Sequence, residues 1–331
     1  MKVKISDIEA TLLKVITSKS NLSEPDAKTL ASDYLEGELQ GKKSHGIAAF
    51  PAVVESLPEA SADFEVLRET ESFLYADAHG GFGSIVGRKI SDILMKKARS
   101  QGVAFASIRD MKSWLRPAVI AQHIAESGML AWVVNTGGPP MVSPPGGKEP
   151  VVGTNPIGIG IPTGDIPVVV DMATSTRAWG EVRLAKQFNH ELPENGYLDK
   201  NGILTRDADA AHSAVPMGGY KGFGLGLLIE LLGGSLVGMN MGKGDVNEPY
   251  YTRNRGAAIL IINPDLTVGA KEFASENKAF IDSVRNSPAA KGSKKVTIPG
   301  DRAAEHKKRN LRNGFIEVDD KLWEEIQSLA S

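Results

Sequence analysis

The sequence predicts a mixed α/β protein, and three observations support this fold class. Several segments place apolar residues at helical spacing between an N-capping residue and a glycine, whereas other segments are short apolar runs typical of strands. From about residue 135 the chain is rich in Gly and Pro and loses the helical period, which predicts short strands and tight turns. With 331 residues, 41% of them apolar, the chain is long enough for one large domain or two to three smaller ones.

The first helix that the pattern delimits precedes an isolated histidine. Ser23 is a candidate N-cap, Pro25 lies in the first turn, and Gly41 follows the last residue with helical spacing. His45 is therefore predicted in the turn after this helix. Further along, the patterns predict strands at 72–78, 103–109 and 129–135 and helices at 88–102 and 117–127.

The Gly- and Pro-rich middle of the chain leads into its most apolar segment. The patterns predict strands at 151–163 and 166–174, a hairpin or tight turn at Asn201 and Gly202, a core helix from residue 220 and a buried strand at 257–265. The tail at 319–330 predicts a closing helix that is capped by Asp319 or Asp320.

Composition excludes several functional classes. The chain has no cysteine, which rules out disulfides, thiolate nucleophiles and zinc–cysteine sites, and no metal site is predicted. A net charge of −2 provides no field that would attract nucleic acid. The most basic segment, 291–314, predicts a solvated helix face, with local anion binding as the alternative. We expect no membrane span, since no apolar run approaches about 18 residues, and a cytoplasmic location, since no secretory signal is visible.

Two glycine-rich segments stand at predicted helix starts. The segment at 81–87 follows a strand, but its spacing is G-x-G-x-x-x-G and Asp110 comes 27 residues after Gly83, so tight packing is favoured over a Rossmann phosphate site. The segment at 218–226 differs because Lys221 stands among the glycines. Free backbone N–H groups and a cation there predict an anion site, and close packing of a core helix is an equally supported alternative.

His45 and Asp171 are the residues that most directly suggest proton transfer. Imidazole has an ordinary pKa of about 6.5 and suits general acid–base chemistry, whereas a polar residue in a turn is the structural alternative. Asp171 follows the apolar run at 166–170, at the end of a buried strand where clefts usually lie. Its carboxylate either caps the turn at Thr174 and Ser175 or orients an imidazolium. The sequence leaves these alternatives open.

Five segments occur in an order and at spacings similar to those of one known family. They are SHG at 44–46, GTNPIGIGIP at 153–162, VVDMATS at 169–175, PMGGYKGFGL at 216–225 and IPGD at 298–301, followed by VDDKLW at 318–323. Over essentially the whole chain the sequence resembles the malate/L-lactate dehydrogenase family, which includes ureidoglycolate and L-sulfolactate dehydrogenases and 2,3-diketogulonate reductases. The resemblance implies a non-Rossmann, nicotinamide-binding α/β fold with a largely antiparallel sheet, and homodimers with active sites near the subunit interface. It implies a helical substrate and dimerisation domain at 1–110 and 270–331 and a cofactor domain at 111–269.

The resemblance also assigns roles to individual residues. His45 is similar to the donor that protonates the substrate carbonyl in reduction, Ser44 and Asp171 resemble its relay partners, and Thr154 resembles a substrate contact. The remaining matches resemble cofactor-binding positions, namely Val168, Val169, Val170, Met172, Ala173, Tyr220, Lys221, Gly300, Asp301 and Arg302. The expected activity is the interconversion of a 2-oxo acid and a 2-hydroxy acid with NAD or NADP.

Two positions depart from the family pattern, both on the substrate side. Relatives commonly have an arginine four residues after the SHG histidine, where this chain has Ala49, and many have a second histidine where it has Ser113. Only another guanidinium readily replaces a bidentate arginine contact. Arg116 is the predicted substrate contact, and Lys112 and Arg177 are alternatives.

Two other functions are considered. A non-catalytic member of the same fold would bind a cofactor or metabolite without turnover, and the altered substrate positions motivate this alternative. A hydrolase that uses Ser44 and His45 is disfavoured because adjacent residues in a turn seldom point at each other and no G-x-S-x-G elbow is present. The substrate is expected to be either a 2-oxo acid bound in an unusual way or a bulkier sugar acid, as in diketogulonate reductases, which share the W-x-R at 114–116.

Overall fold

The computed structural model describes residues 1–112, 114, 116–242 and 255–330. Its helices are α1 (Ile5–Lys19), α2 (Glu24–Leu39), α3 (Pro51–Val54), α4 (Gly83–Gln101), α5 (Pro117–Glu126), α6 (Gly180–Phe188), α7 (Tyr220–Gly233), α8 (Ala270–Arg285), α9 (Asp301–Asn313) and α10 (Asp320–Leu329). Its strands are β1 (Lys2–Lys4), β2 (Glu65–Glu69), β3 (Phe73–Asp77), β4 (Val103–Met111), β5 (Leu130–Asn135), β6 (Ile157–Ile161), β7 (Val168–Met172), β8 (Tyr197–Leu198), β9 (Leu204–Thr205), β10 (Ser213–Ala214), β11 (Arg255–Ile262) and β12 (Phe315–Glu317). The mixed α/β class predicted from the sequence is confirmed.

A seven-stranded sheet in the order β2-β3-β4-β11-β5-β6-β7 forms the centre of the described chain. β3 and β4 run parallel, whereas the other neighbouring strands in this order run antiparallel. Apolar residues of α4 and α5 bury one face of the sheet, and residues of α7 pack on the other. The sheet includes strands from both sides of residue 110, and the predicted division into two domains stays a prediction.

Both ends of the chain contribute to one helical layer. β1 pairs antiparallel with β12, with Lys2 opposite Glu317. α1, α2 and α10 then bury a common apolar cluster that includes Ile8, Tyr34 and Trp323. This layer matters for the site because α2 ends at the turn that carries the histidine.

Local signals in the sequence located several element ends correctly. Ser23 Oγ accepts a hydrogen bond from Asp26 N at 3.3 Å, and Asp319 Oδ1 accepts one from Leu322 N at 3.1 Å, so both predicted caps are confirmed. Gly41 has a φ of +73°, as expected for the residue that ends a helix. The predicted hairpin is also confirmed, since β8 pairs antiparallel with β9.

The core position predicted for α7 holds for one face of the helix only. Its buried residues are Gly222, Gly226, Ile229, Glu230 and Gly233. The contact is close, since a Cβ at Gly233 would lie only 2.7 Å from Gly256 O. Its other face exposes leucines, and the relative exposures of Leu225, Leu227, Leu228 and Leu231 are 37%, 43%, 42% and 45%. The apolar composition of the segment does not show which side of the helix packs against the sheet and which side is exposed.

The same segment changes the expectation about membrane spans. The stretch Tyr220–Val237 is long and apolar enough, by length and composition alone, to cross a bilayer, with a mean hydropathy of 1.3. The expectation that no run approaches this length is therefore wrong for this stretch. Core helices of soluble proteins meet the same criterion, and part of this stretch is buried against the sheet.

Candidate active site

A cavity of about 640 Å³ lies where the turn after α2, the start of α5 and the ends of β5 and β7 meet. Its volume is in the usual range for small-molecule sites. Seven of the predicted site residues line it, namely Ser44, His45, Arg116, Thr154, Asp171, Met172 and Ala173. Ala49 also lines it, whereas Lys112 and Arg177 are not among the described lining residues. Ser113 lies outside the described residues.

Backbone contacts between α2 and the following turn fix the position of His45. A Cβ at Gly37 would lie 2.3 Å from His45 O, and a Cβ at Gly46 would lie 2.9 Å from Glu38 N. Both positions therefore exclude a side chain, since a backbone atom cannot move aside as the end of a flexible side chain can. The glycine of the SHG motif is a packing requirement that holds the histidine against α2.

Ser44 and His45 share a hydrogen bond of 2.9 Å between Oγ and Nδ1. The expectation that these adjacent side chains do not point at each other is therefore wrong, because the 3₁₀ turn at Lys43–His45 brings them within reach. Since Nδ1 is engaged by Ser44, Nε2 is the ring nitrogen left for proton exchange with a ligand.

The surroundings of His45 favour its neutral form. Burial is the main cause that lowers the pKa of His45 to about 4, and the cations of Arg116, Lys42 and Arg183 lower it further. The carboxylate of Asp171 opposes this shift. His45 is therefore neutral at pH 7, and an anion that offsets the nearby cations would raise the pKa of His45.

Strand register and glycine contacts bring Arg116 to Asp171. Asp171 on β7 lies opposite Gly158 on β6. A Cβ at Gly158 would lie 2.5 Å from Ala118 N, so the first turn of α5 rests directly on β6. Arg116, the N-cap of α5, then places Nη1 3.1 Å from Asp171 Oδ2.

Asp171 is an ionised carboxylate held by two cations. Its Oδ2 lies 3.3 Å from Lys42 Nζ as well as near Arg116. Burial alone would raise the pKa of Asp171, but the charges of Arg116 and Lys42 hold it below its ordinary value. It does not cap the turn at Thr174, whose N–H donates to Thr154 O. Asp171 acts on His45 through its charge, and an orienting role toward the imidazole stays a prediction.

Arg116 is bonded on one side only. Its Nη1 donates to Gln40 Oε1 at 2.8 Å and to Asp171 Oδ2 at 3.1 Å. Its Nε and Nη2 have no hydrogen-bond partner in the described part of the chain. Both atoms are buried, and the residue is only 5% exposed. Buried polar groups are normally hydrogen-bonded, so these two N–H groups call for a partner.

Sequence reasoning missed Asn135, which also lines the cavity. Its Nδ2 donates to Thr136 O at 2.9 Å, while the buried Oδ1 has no partner among the described residues. The signal was present, because Asn135 is the last residue of an apolar strand and Asp171 is the last but one of another.

The glycine-rich segment at 81–87 serves packing, as predicted. A Cβ at Gly83 would lie 2.9 Å from Trp114 Cβ, and one at Gly87 would lie 3.0 Å from Trp114 Cζ2. The two glycines of α4 thus make room for an indole that lines the cavity.

Most of the predicted cofactor residues lie around β7. Val168, Val169 and Val170 belong to this strand, and Gly300, with a φ of +94°, packs on it, because its Cβ would lie 3.3 Å from Val169 N. A Cβ at Gly222, in the first turn of α7, would lie 2.6 Å from Thr174 O, just beyond the cavity wall. The structure therefore brings the strand and the start of α7 together.

The ends of the predicted cofactor segments face outward. Tyr220 is 73% exposed, and Lys221 and Arg302 are exposed as well. Asp301 is held by Arg285, with an Nη2–Oδ1 distance of 2.8 Å. None of these four residues is among those that line the cavity.

Comparisons with known proteins cover nearly the whole chain. The family profile described as malate/L-lactate dehydrogenase matches residues 3–327. L-sulfolactate dehydrogenase of Methanothermobacter thermautotrophicus is 35% identical over 332 residues, which cover 97% of this chain and 94% of that protein. The Δ1-pyrroline-2-carboxylate/Δ1-piperideine-2-carboxylate reductase of Pseudomonas syringae is 30% identical over 331 residues, with coverages of 96% and 94%. The solved structure of sulfolactate dehydrogenase from Methanocaldococcus jannaschii matches with a TM-score of 0.89 at 28% identity, with coverages of 99% and 96%.

Proposed function

The chain belongs to the malate/L-lactate dehydrogenase family, and from this premise we propose that it is an NAD- or NADP-dependent oxidoreductase that interconverts a 2-oxo acid and a 2-hydroxy acid. One observation carries the proposal. His45, hydrogen-bonded to Ser44, lines the same cavity as the ion pair of Arg116 and Asp171. A proton-exchanging imidazole beside a cation is the pair of groups that reduction of a 2-oxo acid needs.

The residues of the chain supply the proton and the charge. A nicotinamide cofactor, when bound, supplies or accepts the hydride. In reduction, His45 Nε2 donates a proton to the carbonyl oxygen of the substrate as negative charge develops there, and in oxidation it takes the proton back. Ser44 restrains the ring through Nδ1, and the charge of Asp171 stabilises the imidazolium. Thr154, in the cavity wall, is the further substrate contact that we propose.

The residues near β7 fit a dinucleotide. Gly218 and Gly219 have φ values of +59° and +66°, and nothing lies within 4 Å of a Cβ built at Gly219. The N-terminal N–H groups of α7 and the exposed Lys221 suit a phosphate. The unpartnered Oδ1 of Asn135 suits the N–H of a carboxamide. The cofactor would thus be held by the start of α7, the β7 segment up to Ala173 and the residues from Gly300 to Arg302.

The exposed leucine face of α7 supports a homodimer. Exposed apolar patches on soluble proteins often mark contact surfaces, and Leu227, Leu228 and Leu231 form such a face close to the proposed cofactor residues. Light scattering coupled to gel filtration would show a dimer, and Leu228→Glu would shift it toward a monomer. A cytoplasmic location stays a prediction.

Turnover of a panel of 2-oxo acids tests the proposed function. We expect oxidation of NADH or NADPH, followed by absorbance, with at least one member of the panel. His45→Ala should lower kcat at least about 100-fold without weakening cofactor binding, because general acid–base catalysis typically contributes this much. His123→Ala is the matched control, since His123 pairs with Asp92 of α4 and is not among the residues that line the cavity.

Two outcomes would contradict the proposal. Equal turnover by the His45 and His123 variants would remove His45 from the reaction. Cofactor binding by the wild-type protein without any turnover would favour the non-catalytic alternative.

A further inference from the structure

Arg116 lines the cavity, and one edge of its guanidinium group is buried without a hydrogen-bond partner in the described part of the chain. Arg116 Nη1 donates hydrogen bonds to Gln40 and Asp171, whereas Nε and Nη2 have no hydrogen-bond partner in the described part of the chain. The Nε–H and one N–H of Nη2 point in the same direction from one edge of the planar group. This edge is the fork that matches the two oxygens of a carboxylate.

The charge around the cavity also favours an anion. The described lining residues include four cations, Lys42, Arg116, Arg183 and Arg255, and two carboxylates, Asp171 and Glu181. Asp171 is shared by Lys42 and Arg116, and the buried Asp33 is a second carboxylate that interacts with Arg116 through its charge. Neither carboxylate bonds the Nε and Nη2 edge, and a buried N–H without a partner is costly, so a ligand carboxylate would complete the hydrogen bonding of Arg116.

We infer that Arg116 binds the substrate carboxylate through Nε and Nη2, in place of the arginine that relatives commonly carry four residues after the SHG histidine. This inference rests on the proposed function. Position 49 offers only a methyl group, although it lines the same cavity. Of the three cations predicted as replacements, Lys112 is paired with Glu59 at 2.6 Å and Arg177 is exposed, so Arg116 is the one built into the cavity wall.

The pairing of Arg116 with Asp171 sets the direction of approach. Nη1 is fixed at Asp171, so the fork is held in a defined orientation beside His45, and the carboxylate docks in the same region as the proton donor. The residue is therefore a specificity determinant, since a carbonyl compound without a C1 carboxylate would leave the buried fork unpaired.

Arg116→Lys tests the inference, because lysine keeps a positive charge near Asp171 but lacks the fork. The measurement is kcat/KM for the 2-oxo acid that the wild-type protein reduces best and for the C1 amide of that acid. We expect the wild-type protein to prefer the acid at least about 100-fold and Arg116→Lys to reduce this preference at least tenfold. Lys112→Gln, which removes a cation that does not line the cavity and pairs with Glu59, should keep the preference within threefold.

A second variant distinguishes a binding role from a structural one. Ala49→Arg added to Arg116→Lys should restore at least tenfold of the lost preference, because it returns a guanidinium to the cavity. A uniform loss of kcat/KM for acid and amide in Arg116→Lys, with no recovery in the double variant, would overturn the inference.

Binding of oxamate separates failure of this inference from failure of the proposed function. Trp114 and Trp179 line the cavity, so oxamate can be titrated by tryptophan fluorescence without turnover, with neutral oxamide as the control. We expect wild-type protein to bind oxamate at least tenfold more tightly than Arg116→Lys does. Equal affinity would refute the carboxylate contact, whereas oxamate binding without turnover of any 2-oxo acid would refute only the proposed function.

Discussion

Two regions of the molecule use glycine for opposite purposes. In the inner wall, which we define as Ser44–Gly46, Arg116 and Asp171, glycines let backbones touch, and a Cβ at Gly46 would clash with Glu38. In the outer rim, which we define as 218–221, nothing lies within 4 Å of a Cβ at Gly219. The difference teaches that the space above each glycine, and not its membership of a motif, separates a packing role from an open, ligand-facing one.

Gly46→Ala should produce the largest effect, because a Cβ at this position of the inner wall would lie 2.9 Å from the backbone nitrogen of Glu38. The added methyl would force α2 and the His45 turn apart, and we expect a loss of about 3 kcal/mol in the free energy of unfolding together with loss of turnover. Urea unfolding measures the first and NAD(P)H oxidation the second.

A glycine with open surroundings provides the control for this variant. Gly224 lies in α7 with nothing within 4 Å of its Cβ and no positive φ. Gly224→Ala should leave the free energy of unfolding unchanged or raise it by about 0.5–1 kcal/mol, as expected for alanine in a helix. Equal destabilisation by both substitutions would show that the space around the Cβ does not determine the role of a glycine.

The pH dependence of reduction should show the electrostatics of the inner wall. Burial, with the cations of Arg116, Lys42 and Arg183, lowers the pKa of His45 to about 4, and Asp171 opposes the shift. The protonated fraction of the free protein then falls about tenfold for each pH unit above this value, so kcat/KM for reduction should fall at that rate between pH 5 and pH 8. The kcat/KM for oxidation should stay level over the same range, and a rise of kcat/KM for reduction with pH would contradict the role of His45.

The same shift predicts the sign of a stability change. Between about pH 6.5 and pH 4 the unfolded chain binds a proton at His45 that the folded chain does not, so the free energy of unfolding should fall as the pH falls through this window. Comparing urea midpoints of the wild-type protein and His45→Gln at both ends of the window isolates this contribution.

Lys221→Gln should produce the smallest effect, because the outer rim is solvent-exposed. Loss of one exposed cation near a phosphate should raise the KM for the cofactor by about two- to fivefold and leave kcat unchanged, since surface charges contribute about 1 kcal/mol or less. Lys19→Gln, at the exposed end of α1, is the control and should leave both constants unchanged. A fall in kcat with an unchanged KM would move Lys221 out of the proposed cofactor contact.

Local chemistry made much of the fold predictable. Caps at Ser23 and Asp319, the end of α2 at Gly41 and the turn that carries His45 each depend on a few neighbouring residues, and the structure agrees with all four. The packing role of the glycines at 81–87 was also predictable, because their spacing did not match a phosphate loop.

The parts that sequence could not supply depend on distant contacts. The pairing of Arg116 with Asp171 requires the register of β6 on β7 and the approach of α5 to Gly158. The exposure of the leucines on α7 requires knowledge of which helix face meets the sheet, and an all-round apolar helix carries no such signal. Asn135 could have been suspected from its place at the end of an apolar strand, but only the structure shows that its Oδ1 lacks a partner among the described residues.

The contacts of Gly37 and Gly46 leave no clearance between α2 and the turn that follows it. The backbone of His45 therefore has no room to move toward α2, and the imidazole can change position only by rotation about its own side-chain bonds. The first residue of α6, Gly180, also meets this turn, with 3.2 Å between its built Cβ and Ser44 Cβ. The α-carbon of the histidine is thus a fixed point in the wall of the cavity.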